Sequence, residues 1–325
     1  MGDVLLMETI ALDIHTHLVP TDGAALASFR GITWDAAAEQ MVIDGHKLWP
    51  RELFHPEALI AWLDRNNIRQ AWISIPPPFY RPHLEEGQAE RWCDHLNSGL
   101  QEIAQRHADR LTALPYLPVE HPAVAVRIAR AGIAQGQRRF AMASGAGPKV
   151  QLSDSRYNDL WSALDEAAGF LFIHPGETFD PRMQPFYLAN LLGNPTETAV
   201  AAAHLVLSGI IERHPRMLVC LAHGGGTALA LAGRWQRGHA TDRPGLDNAL
   251  EPPRETLRRL AVDCILHDPA TLSFAAEIYG PDKVLFGSDW PFPMGLPQPH
   301  QQLADVDPEL RRRICQHNPE QLMRR

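Results

Sequence analysis

The stretch Ile10-Ala11-Leu12-Asp13-Ile14-His15-Thr16-His17 is an apolar run that ends in two histidines one residue apart. Successive side chains of a β-strand point to opposite faces, so His15 and His17 leave the same face and can direct two imidazoles at one cation. A pair of this kind also occurs where the rings are only solvated or bonded to backbone. Further ligands at matching places downstream therefore decide between a metal site and an ordinary strand end.

The size and charge of the chain limit the classes of protein to which it can belong. Its 325 residues suit a single α/β barrel, and 45% hydrophobic with 21% charged residues is typical of a globular protein. The formal net charge of −8 argues against a general nucleic-acid binder. The longest apolar run, residues 199–211, is too short to cross a bilayer, and the N-terminus has no secretion or myristoylation pattern. We therefore expect a cytoplasmic protein that binds neither nucleic acid nor membranes.

The cysteines carry no pattern of a disulfide framework or a zinc ribbon. They are far apart in sequence and form no Cys-x-x-Cys pair. Reduced, buried thiols are typical of such spacing in an intracellular protein. We expect this state for Cys93, Cys220, Cys264 and Cys315.

Eight short apolar segments alternate with helical patterns along the chain. They are centred near residues 10, 73, 113, 140, 171, 219, 262 and 285. This alternation predicts an α/β fold in which a parallel sheet closes into a single (β/α)8 TIM barrel over residues 1–325. A doubly wound open sheet is the alternative, weakened by the absence of Gly-x-Gly-x-x-Gly after the first strand. Residues 18–55 are long for a connection, so we expect an insertion or lid over the barrel mouth.

Metal-ligand residue types stand at the ends of four predicted strands. His15 and His17 end the first strand, His174 the fifth, His223 the sixth and Asp289 the eighth. Each alone has an ordinary explanation, such as a bond to a backbone carbonyl or the capping of a helix. In a barrel, however, all of them lie at the C-terminal rim, where barrel enzymes place their chemistry. Histidine and carboxylate are ligands of a Zn-like ion that keeps a position open for water or substrate.

Several motifs around these residues resemble the metal-dependent amidohydrolase superfamily. Within it, they are most similar to the branch of 2-amino-3-carboxymuconate-6-semialdehyde decarboxylase and related aromatic-acid decarboxylases. The similarity extends over nearly the whole chain. It rests on Asp13-Ile14-His15-Thr16-His17, Phe172-Ile173-His174-Pro175, Leu221-Ala222-His223-Gly224-Gly225-Gly226 and Gly287-Ser288-Asp289-Trp290-Pro291-Phe292-Pro293.

This resemblance implies a mechanism and a cofactor. His15, His17, His174 and Asp289 would hold one divalent ion, most simply Zn, although Mn, Co or Fe accept the same ligands. His223 would act as the acid or base beside the ion, and His223 or Asp289 would protonate the carbon that loses CO2. The implied activity is the non-oxidative decarboxylation of a carboxylated muconate semialdehyde or a hydroxylated aromatic acid.

The substrate contacts are less well matched than the metal ligands. The resemblance implies a homodimer whose arginines hold a carboxylate, and Arg234 and Arg243 stand at the matching positions. Where the decarboxylases carry a further arginine, this chain has Trp49 or Pro50, with Lys47 and Arg51 only nearby. Trp290 and Phe292 directly follow Asp289 and are the aromatics best placed to face a planar substrate.

Two other functions fit the same metal site. A hydrolase would use the metal-bound water to open a lactone, an amide or a C–C bond, and would release no CO2. A non-catalytic binding protein on a decayed barrel would hold little metal. A serine esterase is unsupported, because the chain has no Gly-x-Ser-x-Gly nucleophile elbow.

Overall fold

The computed structural model describes residues 8–147, 150–241 and 243–325. Its main sheet consists of eight strand positions whose recorded pairings are all parallel. In chain order they are β1 (Asp13–His17), β2 (Ala71–Ser74), β3 (Leu111–Ala113 and Tyr116–Leu117), β4 (Arg139–Ala143), β5 (Phe170–His174), β6 (Leu218–Leu221), β7 (Ala261–Asp263) and β8 (Val284–Leu285).

The sheet closes on itself. The strands pair in sequence order from β1 to β8. Between the last and the first position, the Ile14 amide donates to Phe286 O at 3.0 Å and the His17 amide donates to Trp290 O at 2.9 Å. These bonds confirm the predicted TIM barrel. The alternative prediction, an open doubly wound sheet, is wrong.

The third strand position, near residue 113, is not one continuous strand. It is divided at Leu114 and Pro115, because a proline has no N–H to donate to the ladder. The pairing nevertheless continues through the break. The Leu114 amide donates to Ile73 O at 2.8 Å, and the Ala141 amide donates to Pro115 O at 2.9 Å.

The helices follow the strands as the alternation predicts. Many of them carry proline in the first turn, where its missing N–H costs no helical bond. Their bounds are α1 Gly23–Leu26, α2 Pro56–Arg65, α3 Glu86–Arg106, α4 Pro122–Ala134, α5 Asn158–Glu166, α6 Asn194–Leu207, α7 Ile210–Arg213, α8 Ala228–His239, α9 Pro253–Leu257, α10 Pro269–Tyr279, α11 Pro299–Gln302, α12 Pro308–Arg312 and α13 Asn318–Met323. Gly209 adopts φ 74° and separates α6 from α7.

Short 3-10 and π turns complete the loops. They are Arg51–Phe54, Pro77–Phe79, Ser155–Tyr157, Pro181–Met183, Pro185–Tyr187, Ala189–Gly193, His223–Gly225 and Arg313–His317. Three of these turns lie between β5 and α6, so this connection is a compact surface segment rather than an extended loop.

The core has two apolar layers. One cluster joins residues from every strand position, among them Ile14, Leu114, Phe172 and Leu285, which places it inside the barrel. A larger cluster joins the outer faces of the strands to the helices. All four cysteines are buried and free, as expected. No helix within the described ranges is long and apolar enough to cross a membrane.

Residues 18–55 contain a small sheet of their own. Its antiparallel strands are Ile32–Asp35, Gln40–Ile43 and His46–Lys47. The turn between the last two has positive φ at Asp44 (49°) and Gly45 (85°). A charged contact ties this turn to the barrel, since the Arg81 guanidinium donates from Nε and Nη2 to the two oxygens of Asp44, each at 2.8 Å.

Candidate active site

Four predicted ligands from three strand ends converge on one point. His15, His17, His174 and Asp289 are all buried, and one donor atom from each lies within 4.8 Å of all the others. Oδ1 of Asp289 lies 3.3 Å from Nε2 of His15 and 3.2 Å from Nε2 of His17. The residues therefore form a site that could hold a metal ion at the C-terminal rim of the barrel.

An irregularity in β1 helps to direct the two histidines. The register of β1 against β2 shifts between Asp13 and Thr16. Ile14 packs in the cluster inside the barrel, while its neighbour His15 contacts the Phe172 ring at 4.8 Å and reaches the metal-ligand group. Bulges of this kind commonly redirect a side chain beside an active site.

Hydrogen bonds orient the imidazoles so that Nε2 is the atom directed at the centre. Nδ1 of His15 lies 2.7 Å from Oδ2 of Asp263, and Nδ1 of His174 lies 2.9 Å from the Pro175 carbonyl. Because an ionised carboxylate and a carbonyl only accept, each Nδ1 must carry the proton. Among the described residues, Nε2 of His174 and Oδ1 of Asp289 are buried without a hydrogen-bond partner. A cation between them would satisfy both atoms, so the residues present fit a metal.

The electrostatics of the group also favour a cation. Burial lowers the pKa of His17 and holds the pKa of His174 well below its usual value. Both rings are therefore neutral, with a nitrogen lone pair that can bind a metal. Burial opposes ionisation of Asp289, but the surrounding histidines outweigh it and hold the pKa of this carboxyl well below its usual value. Burial also lowers the pKa of His15, yet Asp289 and Asp263 together raise it to about 10. The carboxylates of Asp289 and Asp263 thus favour a positive charge at this point. A metal ion binds such a site by displacing the protons of its ligands.

Asp263 is a site residue to which the sequence analysis assigned no role. Its Oδ2 accepts the proton of His15, and its Oδ1 accepts the amides of Gly224 at 2.9 Å and Ile265 at 3.1 Å. The same carboxylate thus orients a metal ligand and holds the turn that follows β6. A carboxylate at the end of the seventh predicted strand was the signal that could have identified it.

His223 lies beside the four ligands in a strained turn. It has φ 53°, and Gly224, Gly225 and Gly226 also have positive φ. A Cβ at Gly226 would stand 2.1 Å from the Pro195 carbonyl, so only glycine fits there. Nε2 of His223 lies 3.8 Å from Oδ2 of Asp289. A left-handed non-glycine residue at this place is typical of a functional site, and it brings His223 next to the metal ligands.

A cavity of about 600 Å³ opens onto this group. Its walls include His174, Asp289, His223 and Phe292. The Phe292 ring packs edge-on against the His17 ring, with 5.5 Å between the ring centroids. The remaining walls are Pro77, Pro78, Tyr187, Asn190, Leu191, Asn194, Pro195, Gly226, Thr227, Ile265, Leu266, His267, Pro293 and Met294. His267 and Met294 were not identified as walls from the sequence, because loop residues give no periodic signal.

Trp290 does not lie where the sequence analysis placed it. Trp290 is 7% exposed and lines a separate cavity. The centroids of the Trp290 and Trp62 rings are 6.5 Å apart. The reason is the turn at Asp289, which has φ 58° and breaks strand geometry. Trp290 is therefore a packing residue between the barrel rim and α2, whereas Phe292 faces the metal cavity.

The charged residues predicted to hold substrate do not line the metal cavity of their own chain. Arg234 and Arg51 are exposed. Arg243 is exposed too, and its guanidinium donates to the Thr241 carbonyl at 3.1 Å and 2.9 Å. Lys47 borders a neighbouring cavity of about 540 Å³ that shares only Pro77 and Pro78 with the first.

A known protein family and characterised relatives match this chain over most of its length. The model of the family described as amidohydrolase matches residues 12–325. The 2-amino-3-carboxymuconate-6-semialdehyde decarboxylase of Dictyostelium discoideum is 27% identical over 313 residues, which cover 92% of this chain and 86% of that protein.

Two solved structures share the fold. The 5-carboxyvanillate decarboxylase from Sphingomonas paucimobilis superposes with a TM-score of 0.81 at 19% identity, covering 98% of this chain and 99% of that one. The dihydroxybenzoic acid decarboxylase from Polaromonas sp. JS666 was solved with manganese and the inhibitor 2-nitroresorcinol. It superposes with a TM-score of 0.79 at 16% identity, covering 98% of this chain and 97% of that one. Because the family model spans nearly the whole chain, this protein belongs to the amidohydrolase family.

Proposed function

We propose that this protein is a metal-dependent decarboxylase of a planar, carboxylated substrate of the aromatic-acid class. The observation that carries the proposal is the convergence of His15, His17, His174 and Asp289 beside His223, at a cavity that His174, Asp289 and His223 line. The decarboxylases named above, which act on a muconate semialdehyde and on aromatic acids, support this reaction over hydrolysis.

His15, His17, His174 and Asp289 would hold one divalent ion. The ligand types suit Zn and also Mn, Co or Fe, and the manganese in the Polaromonas structure supports Mn. When bound, the ion would polarise the substrate oxygens and so stabilise negative charge that develops as the C–C bond breaks. Elemental analysis after reconstitution with each metal, followed by activity measurement, identifies the ion that supports turnover.

The residues of the chain supply the other parts of the reaction. Phe292 and the apolar walls would hold the substrate plane and exclude water. As CO2 leaves, the electron pair of the broken bond remains on the ring carbon, and Nε2 of His223 would hand this carbon a proton. Asp289 stands close enough to His223 to stabilise its protonated form. It would be the alternative donor to the carbon only after it had itself taken up a proton.

Two further parts of the proposal concern the surroundings of the site. Residues 18–55 would serve as a lid, anchored by the contact between Arg81 and Asp44. The protein would form a homodimer, in which Arg234 and Arg243 could contact substrate only by reaching the cavity of the partner subunit. Light scattering of the purified protein tests the oligomeric state.

Isotope-labelled substrate distinguishes decarboxylase from hydrolase. Metal-loaded protein would be incubated with carboxyl-labelled 2,6-dihydroxybenzoate and with labelled 2-amino-3-carboxymuconate semialdehyde, in water enriched in ¹⁸O. We expect labelled CO2 from either compound and, with the dihydroxybenzoate, a product without solvent oxygen on its carbon skeleton. Solvent oxygen in the product without CO2 release would establish the hydrolase instead.

A further inference from the structure

We infer that Asn190, Asn194 and Thr227 determine substrate specificity by binding a neutral, hydrogen-bonding substituent of the substrate. These three residues are called the polar wall below. The inference rests on the proposed function, because it concerns the ligand of the same cavity. It applies to an uncharged substituent, whereas carboxylates are left to the metal ion and to the arginines of a partner subunit.

The polar wall borders the cavity that opens onto the metal-ligand group. Each of its residues lines this cavity, as do His223 and Asp289. Each is also partly buried, so that its side chain belongs to the wall of the cavity rather than to the open surface. A substrate held at the metal therefore shares one cavity with the polar wall.

Two contacts hold Asn194 beside Thr227. The Thr227 amide donates to the Pro195 carbonyl at 3.1 Å. The same carbonyl approaches Gly226 so closely that a Cβ there would stand 2.1 Å from it. The start of α6 is thus fixed against the turn that follows His223. A rigid support of this kind positions polar side chains precisely enough to select a ligand.

Asn190 lies one turn before Asn194, in the π turn Ala189–Gly193. The Asn194 amide donates to the Ala189 carbonyl and so closes this turn. Residues four apart in a helical segment lie on the same side of it, and both asparagines line the cavity. Isolated π turns next to an α-helix are frequent at functional sites.

The fold does not use the polar atoms of the polar wall. Within the described ranges, no group forms a hydrogen bond with the side chains of Asn190, Asn194 or Thr227. An asparagine that supports the fold is different, since Asn97 donates to the Tyr116 carbonyl at 3.0 Å and accepts its amide at 2.7 Å. The polar wall is therefore free to bind a ligand.

The chemistry of the polar wall indicates the group that it binds. Amide and hydroxyl side chains both donate and accept hydrogen bonds, and they carry no charge. A neutral group with the same two abilities, such as a phenolic hydroxyl, matches them. A methyl group in the same place would displace water from these side chains without replacing its hydrogen bonds. Sites built in this way discriminate against analogues that lack the hydroxyl.

Pairs of inert ligands test the inference. They are 2-nitrophenols that carry either a hydroxyl or a methyl group at each free ring position, and their nitro group replaces the carboxylate but cannot leave as CO2. Calorimetry on the metal-loaded enzyme gives the dissociation constants. We expect the hydroxyl compound of at least one pair to bind about tenfold more tightly than its methyl partner. Equal constants within every pair, or no binding of any probe, would overturn the inference.

Three substitutions test whether the polar wall causes this preference. T227V keeps the shape of the side chain without its hydroxyl, and N194L and N190L replace an amide by an apolar group of similar size. Each should reduce the preference by about threefold or more, by weakening binding of the hydroxyl compound. T196V is the matched control, because Thr196 does not line the cavity and already donates to the Leu192 carbonyl at 2.7 Å.

Two results with these variants would overturn the inference. One is an unchanged hydroxyl preference in T227V, N194L and N190L. The other is equal weakening of both members of a pair, because this would indicate that the residues only support the fold.

CO2 release from the corresponding benzoates separates this inference from the proposed function. A hydroxyl preference that depends on the polar wall, without CO2 release, would overturn the decarboxylase proposal and support the polar wall. CO2 release without such a preference would overturn the polar wall alone.

Discussion

Nδ1 of His15 lies 2.7 Å from Oδ2 of Asp263, and the other oxygen of this carboxylate binds the amides of Gly224 and Ile265. One buried side chain therefore orients a metal ligand and also fixes the turn next to His223. Partners of this kind set the tautomer and the aim of a ligating histidine.

Replacement of Asp263 by asparagine should weaken metal binding. D263N keeps the shape of the side chain but removes the charge that holds the proton on Nδ1 of His15. We expect metal affinity to fall about 10–100-fold, as is usual for such outer partners, measured by competition with a chromogenic chelator. D268N is the matched control, because Asp268 is an exposed helix cap that binds Thr271. Equal metal affinity in D263N and the wild type would contradict the assigned role.

Replacement of His223 should separate metal binding from turnover. The ring lies next to the ligand group but is not part of it, so H223Q should retain the metal content of the wild type. Its turnover should fall by about 100-fold or more, the usual contribution of a positioned acid or base. H107Q, far from the cavity at the end of α3, is the control. A fully active H223Q would remove His223 from the mechanism.

Gly226 should be intolerant of any side chain. A Cβ there would stand 2.1 Å from the Pro195 carbonyl, at φ 58°. Gly136 also has positive φ, 90°, but a Cβ there would meet nothing within 4 Å. We expect G136A to lower the free energy of unfolding by about 1–2 kcal/mol, the cost of left-handed backbone, and G226A to lower it by more. Urea denaturation measures both, and equal losses would show that the contact with Pro195 is unimportant.

The Arg81–Asp44 contact should control the accessibility of residues 18–55. The Arg81 side chain is 3% exposed, so D44N leaves its charge buried with a weaker partner. Limited proteolysis should cleave this segment faster in D44N than in the wild type, whereas D35N, an exposed position in the same segment, should behave as the wild type. Equal cleavage of all three proteins would argue against an anchored lid.

The stabilisation from the Arg81–Asp44 contact should decrease as the pH falls. Partial burial raises the pKa of Asp44, but hydrogen bonds and charge from Arg81 outweigh it and lower the pKa below its usual value. The folded state then binds fewer protons than the unfolded state, so the contact stabilises the fold above the unfolded-state pKa of about 4. Its contribution is lost as pH falls through the lower folded value. Wild type and D44N should thus converge in cleavage rate at acidic pH; a difference that persists there would contradict this assignment.

The sequence was sufficient for the barrel, because it follows from local patterns. The same patterns gave five residues at the strand ends, and the family resemblance set His223 apart from the four metal ligands. Apolar segments of strand length alternate with helices, and the ligands directly follow those segments. Trp290 shows where local reasoning fails, since the left-handed turn at Asp289 redirects the chain beyond the strand. Asp263 and Arg81 were not identified either, because their roles depend on partners 248 and 37 residues away in the chain.

The convergence of His15, His17, His174 and Asp289 predicts that these four residues bind one ion. The most direct test is the metal content of purified, reconstituted protein, measured by plasma mass spectrometry for the wild type and for D289A, with circular dichroism to verify folding. We expect one equivalent per chain in the wild type and almost none in folded D289A. A wild type that binds no metal, or a D289A variant that retains its full equivalent, would contradict it.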